Sequence, residues 1–253
     1  VELRQWTPRA AEAAQAARPA RPLDAQLQAV ASVAQHGGAL KFLPENLRQD
    51  REVVLVAVSQ QGACLQFASS ELRKDLDVAL AAVSQDGLAL QHCSVLRRQR
   101  DVVLAAVTQN ERALEFASEE LRRDRELVMA VVSKDGSTLE FAAKELRRDR
   151  EIVLAAARDA GSFQHAAEEL RRDREVVLAV VAQHGRALMY ASEELRADRE
   201  VVLSALAQDG SSLEFASAEL QHDRSTILIA VAKCGNALRF TSRELQRDRK
   251  LVL

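Results

Sequence analysis

The sequence predicts an all-α protein, an α-solenoid of nine to ten 25-residue repeats, and three observations carry that expectation. Near-identical stretches recur: LRRDRELVMAVVSKDG at 121–136, LRRDREIVLAAARDAG at 146–161 and LRRDREVVLAVVAQHG at 170–185. Apolar triplets ending at Leu55, Leu80, Leu104, Met129, Leu154, Leu178, Leu203, Leu228 and Leu253 are spaced by 25, 24, 25, 25, 24, 25, 25 and 25 residues. Glycine keeps one place in the unit, at Gly37, Gly62, Gly87, Gly136, Gly161, Gly185, Gly210 and Gly235. With Val30 in the place of Leu55, the repeat domain is expected over 25–253, cut within its tenth unit, after an N-terminal arm at 1–24.

In the arm, Thr7-Pro8 ahead of RAAEAAQAAR reads as an N-cap and a first-turn proline, opening a short Ala-rich helix that Pro19 closes. Trp6, the only tryptophan, stands just before it. It is a candidate interaction residue because tryptophan is favoured at interfaces; the other reading makes the arm a cap packed on the first repeat.

Each unit then opens a helix A of about eleven residues. Asp50, Asp75, Asp124, Asp149, Asp173, Asp198, Asp223 and Asp248 stand where a carboxylate can accept from the free amides of the first turn. The glycines Gly62, Gly87, Gly136, Gly161, Gly185, Gly210 and Gly235 are expected to end helix A as left-handed C-caps. Glu111 replaces the glycine in one repeat, with Asn110 offered as the left-handed residue and a local distortion expected there. Leu65 and Phe67, Leu114 and Phe116, Leu139 and Phe141, or Leu213 and Phe215 begin a short helix B. Pro44 requires that element to break and restart, and Ser69, Ser118, Ser192, Ser217 and Ser242 suit an N-cap at the same place. The two 24-residue units should disturb the regularity near Val95 and Phe163. Helix pairs this short are stable only when stacked on neighbours.

Composition limits the function. With 47% hydrophobic residues the chain can build a core, and 35 basic against 37 acidic residues leave a formal charge of −2, with no bulk field for nucleic acid. Three cysteines without framework spacing point to an intracellular, reducing compartment, an organelle such as a chloroplast included. The run Val53–Val58 falls far short of the roughly 20 residues of a membrane span, so membrane association is expected only through partners. Residue 1 is Val, which places a translated start upstream, and the stop inside a helix A calls for further chain or a partner.

The unit D-R-E-V-V-L-A-A-V-x-Q-x-G-x-A-L-x-F-A-S-E-E-L-R resembles a family of short helical repeats catalogued only as a domain of unknown function, found in algae, other protists and some intracellular bacteria. The resemblance spans about 25–253 and implies the repeat fold but no activity; alanine and arginine richness suits a GC-rich, algal genome.

A catalytic site needs unlike residues converging, whereas this sequence sets like residues in rows, so no enzyme, cofactor or metal is expected. His92 and His165 take the phenylalanine place and could touch a metal or a pigment, but they are three repeats apart and share no metal. His36, His184 and His222 lack zinc spacing, and His92-Cys93 with Cys64 reads as packing. The second row is Arg51, Arg100, Arg125, Arg150, Arg174, Arg199, Arg224 and Arg249, broken at Leu76. It reads as a ladder bridging repeats through Glu119, Glu120, Glu168, Glu169, Glu193 and Glu194, or as a stripe for an acidic partner or phosphates. The repeated phenylalanines read as core, which argues against base stacking. The expected function is therefore a protein-interaction scaffold or a subunit or linker of a larger assembly. The alternatives are a nucleic-acid or phosphate binder and an accessory subunit of an algal photosynthetic complex.

Overall fold

A computed structural model of the chain describes residues 22–241. The N-terminal arm with Trp6, and Ser242, Asp248, Arg249 and Leu253, lie outside the described residues. Those described are helical and turn structure with no strand. The chain forms two compact units, one ending at Ser94 and the other beginning at Val95.

In the first unit the A helices are Pro22–Gln35, Arg51–Gln60 and Leu76–Gln85. In the second they are Arg100–Gln109, Arg125–Val132, Arg150–Ala156, Arg174–Val181, Arg199–Gln208 and Arg224–Lys233. The aspartate caps are present: Asp50 accepts from the amides of Glu52 and Val53, Asp149 from Glu151 and Ile152, and Asp198 from Glu200 and Val201. Gln99, in the aspartate place, makes no such bond. Six A helices bury a pair of residues and then a second pair a turn later, as Val53, Val54, Ala57 and Val58 do. The third residue of the apolar triplet lies off that face, and Leu104 and Leu228 are exposed.

Between helix A and helix B stands a 3-10 element, such as Gly62–Phe67 or Gly136–Phe141, each of 6 residues. Its leucine points inward, and Leu40, Leu65, Leu90, Leu114, Leu139, Leu188 and Leu213 are completely buried. Asp86, Asn110, Asp135 and Asp209 cap it by accepting from the amide two residues on. Helix B follows as a single turn, for example Glu119–Arg122 or Glu193–Arg196, with Ser118 and Ser192 accepting from Leu121 and Leu195. After Pro44 it is Glu45–Arg48, so the expected restart is found.

The glycines do not cap helix A in the left-handed conformation. Among the described residues no glycine has a positive φ. Several A helices end on an extended residue instead, Gln61 at φ −149° for example, whose amide bonds the Ala57 carbonyl, while others end on a right-handed one such as Ser133 or Ala182. Gly62, Gly87, Gly136, Gly185, Gly210 and Gly235 each open the 3-10 element, and Gly161 precedes one at φ −74°. What requires glycine is proximity. A Cβ on Gly62 would lie 2.3 Å from the carbonyl oxygen of Ala82 in the next repeat, and on Gly136 2.0 Å from that of Ala156. Asn110 is likewise extended, at φ −150°, and the repeat carrying Glu111 is locally regular. In the next repeat Lys134 Nζ comes within 3.8 Å of the Glu111 carboxylate.

Both one-residue deletions leave a mark. Ser94 has φ 39°, left-handed backbone that costs a residue with a Cβ about 1–2 kcal/mol. At the other, the 3-10 element shrinks to Ser162–His165, and Phe163, completely buried, fills the leucine place with a larger ring.

Consecutive repeats are also joined through the backbone of helix B. Within the second unit Ser118, Ala143, Ala167, Ser192 and Ser217 donate their amides to the carbonyls of Arg97, Arg122, Arg147, Arg171 and Arg196, at 2.8–3.0 Å. Within the first, Ser69 does the same to Arg48 at 3.1 Å.

Candidate interaction surface

Two rows of arginine run along the repeats, and they differ in what they touch. The first is the expected ladder. Arg51 Nε donates to Asp75 at 2.9 Å, Arg100 Nε to Asp124 at 3.1 Å, Arg125 Nε to Asp149 at 2.8 Å and Arg174 Nε to Asp198 at 2.8 Å. The same guanidinium groups reach a second acid two residues on: Asp77, Glu126, Glu151 and Glu200. Arg150 pairs with Glu175 at 2.8 Å, and Arg199 with Asp223 at 3.2 Å and the Ser225 hydroxyl at 2.6 Å. Arg224 is engaged as well. The acids are therefore the cap and first-turn residues of the next helix A, not Glu119, Glu120, Glu168, Glu169, Glu193 and Glu194, because the stagger between repeats places position 51 beside position 75.

One aspartate so serves as helix cap and as rung. Asp75 and Asp198 are held below the ordinary carboxylate range, chiefly by the guanidinium groups of Arg51 and Arg174. For Asp124 the Leu127 amide acts most strongly and Arg100 adds to it. At Asp149 burial acts upward, and Arg125 with the Ile152 and Glu151 amides outweighs it. Groups whose folded pKa lies below the unfolded value near 3.9 give stability that is complete above about pH 5 and is lost as pH falls through 4 toward the folded values. The melting temperature by circular dichroism is thus expected to stay level from pH 7 to 5 and to drop steeply below pH 4; a level or rising value on acidification would contradict the cap-and-rung assignment.

The second row was not singled out in the sequence: Arg48, Arg73, Arg97, Arg122, Arg147, Arg171 and Arg196, the last residue of E-E-L-R. All are half-buried. In Arg48, Arg73, Arg122, Arg171 and Arg196 the Nε is enclosed without a hydrogen-bond acceptor, a costly arrangement for a buried donor. Arg48, Arg73, Arg122, Arg147 and Arg171 form no ion pair, and Arg196 reaches Glu193 only at 3.9 Å. Gln221 takes the same place in a later repeat and donates to the carbonyls of Leu213, Glu214 and Ala216.

Arg122, Arg147, Arg171 and Arg196 line grooves between successive B helices. One, of about 400 Å³, holds Arg122, Arg123, Lys144 and Arg147 against Glu119 and Glu145. The next, about 360 Å³, includes Arg147, Arg148, His165 and Glu169, and a third, about 310 Å³, includes Arg171, Arg172, Tyr190 and Arg196. Their acids are largely satisfied: Arg123 pairs with Glu119 and Glu145, Arg148 with Glu169, and Arg172 with Glu168.

The aromatic row is not core. Phe67, Phe116, Phe141, Tyr190, Phe215 and Phe240 are half-buried, as are His92 and His165, and Phe42 is 82% exposed. The leucine two residues earlier takes the interior, leaving the ring at the rim, where Arg186 stacks 5.6 Å from the Phe215 centroid and Lys41 lies 5.9 Å from that of Phe67. Among the described residues no group of histidine, cysteine and carboxylate could hold a metal ion. Cys64 and Cys93 are buried, and burial raises the Cys64 thiol. No described helix is long and apolar enough to cross a membrane.

The family model described as "Domain of unknown function (DUF4116)" matches residues 29–73, 75–122, 124–171, 157–196, 173–221 and 198–246, so that tandem matches run over most of the chain. The chain belongs to this family. Its matches take in the ladder arginines from Arg51 to Arg224 and the groove arginines from Arg48 to Arg196. No curated protein and no solved structure matches the chain.

Proposed function

We propose that this chain is a non-enzymatic interaction scaffold, a subunit or linker of a larger assembly, whose partners lie along the grooves between successive B helices. One observation carries the reading: the ladder arginines are consumed in holding repeats together, whereas Arg122, Arg147 and Arg171 are held half-buried in surface grooves with no ion pair. A fold could keep such a row apolar at lower cost. Like residues set in rows also favour a long contact surface over a catalytic cluster.

A nucleic-acid reading has an observation of its own in the half-exposed rings beside arginine, the arrangement that stacks bases. Against it stand the glutamates within each groove and the formal charge of −2. Membership of an algal photosynthetic assembly would be one instance of the scaffold reading, and pigment contact through His92 or His165 would give the purified chain a chromophore's absorption.

The test is gentle native purification through a tag, with sizing and mass spectrometry. The scaffold reading expects reproducible proteins in a particle much larger than the chain; a lone chain with nothing attached would contradict it.

A further inference from the structure

Building on the scaffold reading, we propose that the partner segment is an extended, acidic, proline-rich peptide presenting one carboxylate every third residue. Three properties of the grooves lead there.

The first is charge. In the groove of Glu119 and Glu145, both acids pair with Arg123, which leaves Arg122, Lys144 and Arg147 uncompensated toward an incoming group. In the next groove Glu169 is held by Arg148 and Glu168 by Arg172, and Arg147 again has no ion pair. Carboxylates suit the planar fork of arginine, and a half-buried guanidinium loses less freedom on binding than an exposed one.

The second is spacing. One such arginine occurs per repeat, and neighbouring helices pack roughly 8–10 Å apart. A polyproline II chain advances about 9.3 Å in three residues and returns the same face to the surface. A β-strand brings side chains back to one face every 6.7 Å or so, which drifts out of step within two repeats.

The third is the backbone. The amides of Ala143, Ala167 and Ser192 are already bonded to the carbonyls of Arg122, Arg147 and Arg171, so this edge has no row of free amides to which a strand could be added. Recognition must come from side chains. Tyr190 and His165 line two of the grooves, and aromatic-lined grooves take the prolines of a polyproline II segment.

The full chain is titrated with a fluorescent peptide of five Glu-Pro-Pro triplets. Controls are a peptide of the same composition with its glutamates in one block, the Lys-Pro-Pro analogue, and oligouridylate. The inference expects the triplet peptide to bind at least about tenfold more tightly than the block and the analogue. It also expects a similar loss in Arg122→Gln/Arg147→Gln/Arg171→Gln. The ladder variant Arg125→Gln/Arg174→Gln, checked like the first for an intact circular dichroism spectrum, should keep the affinity. Equal binding of the block peptide, no loss in the groove variant, or tighter binding of oligouridylate would each overturn it. If native partners still co-purify while the triplet peptide fails, the scaffold reading stands and this inference alone falls.

Discussion

Gly136→Ala is expected to destabilise the protein by about 1–3 kcal/mol, whereas Gly161→Ala leaves stability unchanged or raises it slightly. The two glycines share a place in the repeat, and a shared role as left-handed caps would make the substitutions equally costly. Their surroundings differ instead. A methyl on Gly136 would stand 2.0 Å from the Ala156 carbonyl oxygen, a backbone atom fixed in the adjoining helix. At Gly161 the nearest atom is Asp159 Oδ1 at 3.7 Å, and φ of −74° suits alanine. Urea unfolding of the two variants checks this; comparable losses would mean that conformation, and not proximity, selects the glycines.

Phe163→Ala should cost about 3–5 kcal/mol, the usual effect of emptying a fully buried aromatic site. Phe163 replaces the repeated leucine where the chain is one residue short, and its ring is completely buried. Because stability in repeat proteins is carried between nearest neighbours, the loss of hydrogen-exchange protection should centre on 150–181 and fade away from it within the second unit. Uniform loss throughout that unit would contradict the nearest-neighbour picture.

Local features could be read from the chain. The aspartate and serine caps act on amides two or three residues away, and Pro44 breaks helix B by its own covalent structure, so both were legible. Features set by stacking were not. The role of Gly136 depends on a carbonyl 20 residues ahead, and the acid that Arg125 meets depends on the stagger that brings Asp149 beside it. An apolar repeat position reads as core, and the phenylalanines hold one; Leu139 nonetheless fills the interior and leaves Phe141 at the rim. The groove arginines do have a signal in the sequence. E-E-L-R-R carries two arginines, and the first recurs from Arg48 to Arg196 until Gln221 replaces it, a regularity that the more prominent D-R-E row obscured.

The measurement that bears most directly on the account compares what co-purifies with the tagged wild-type chain and with Arg122→Gln/Arg147→Gln/Arg171→Gln, each in parallel with Arg125→Gln/Arg174→Gln. The account predicts that the groove variant stays folded and loses its partners while the ladder variant keeps them. Partners retained by the groove variant would place the working surface elsewhere on the chain.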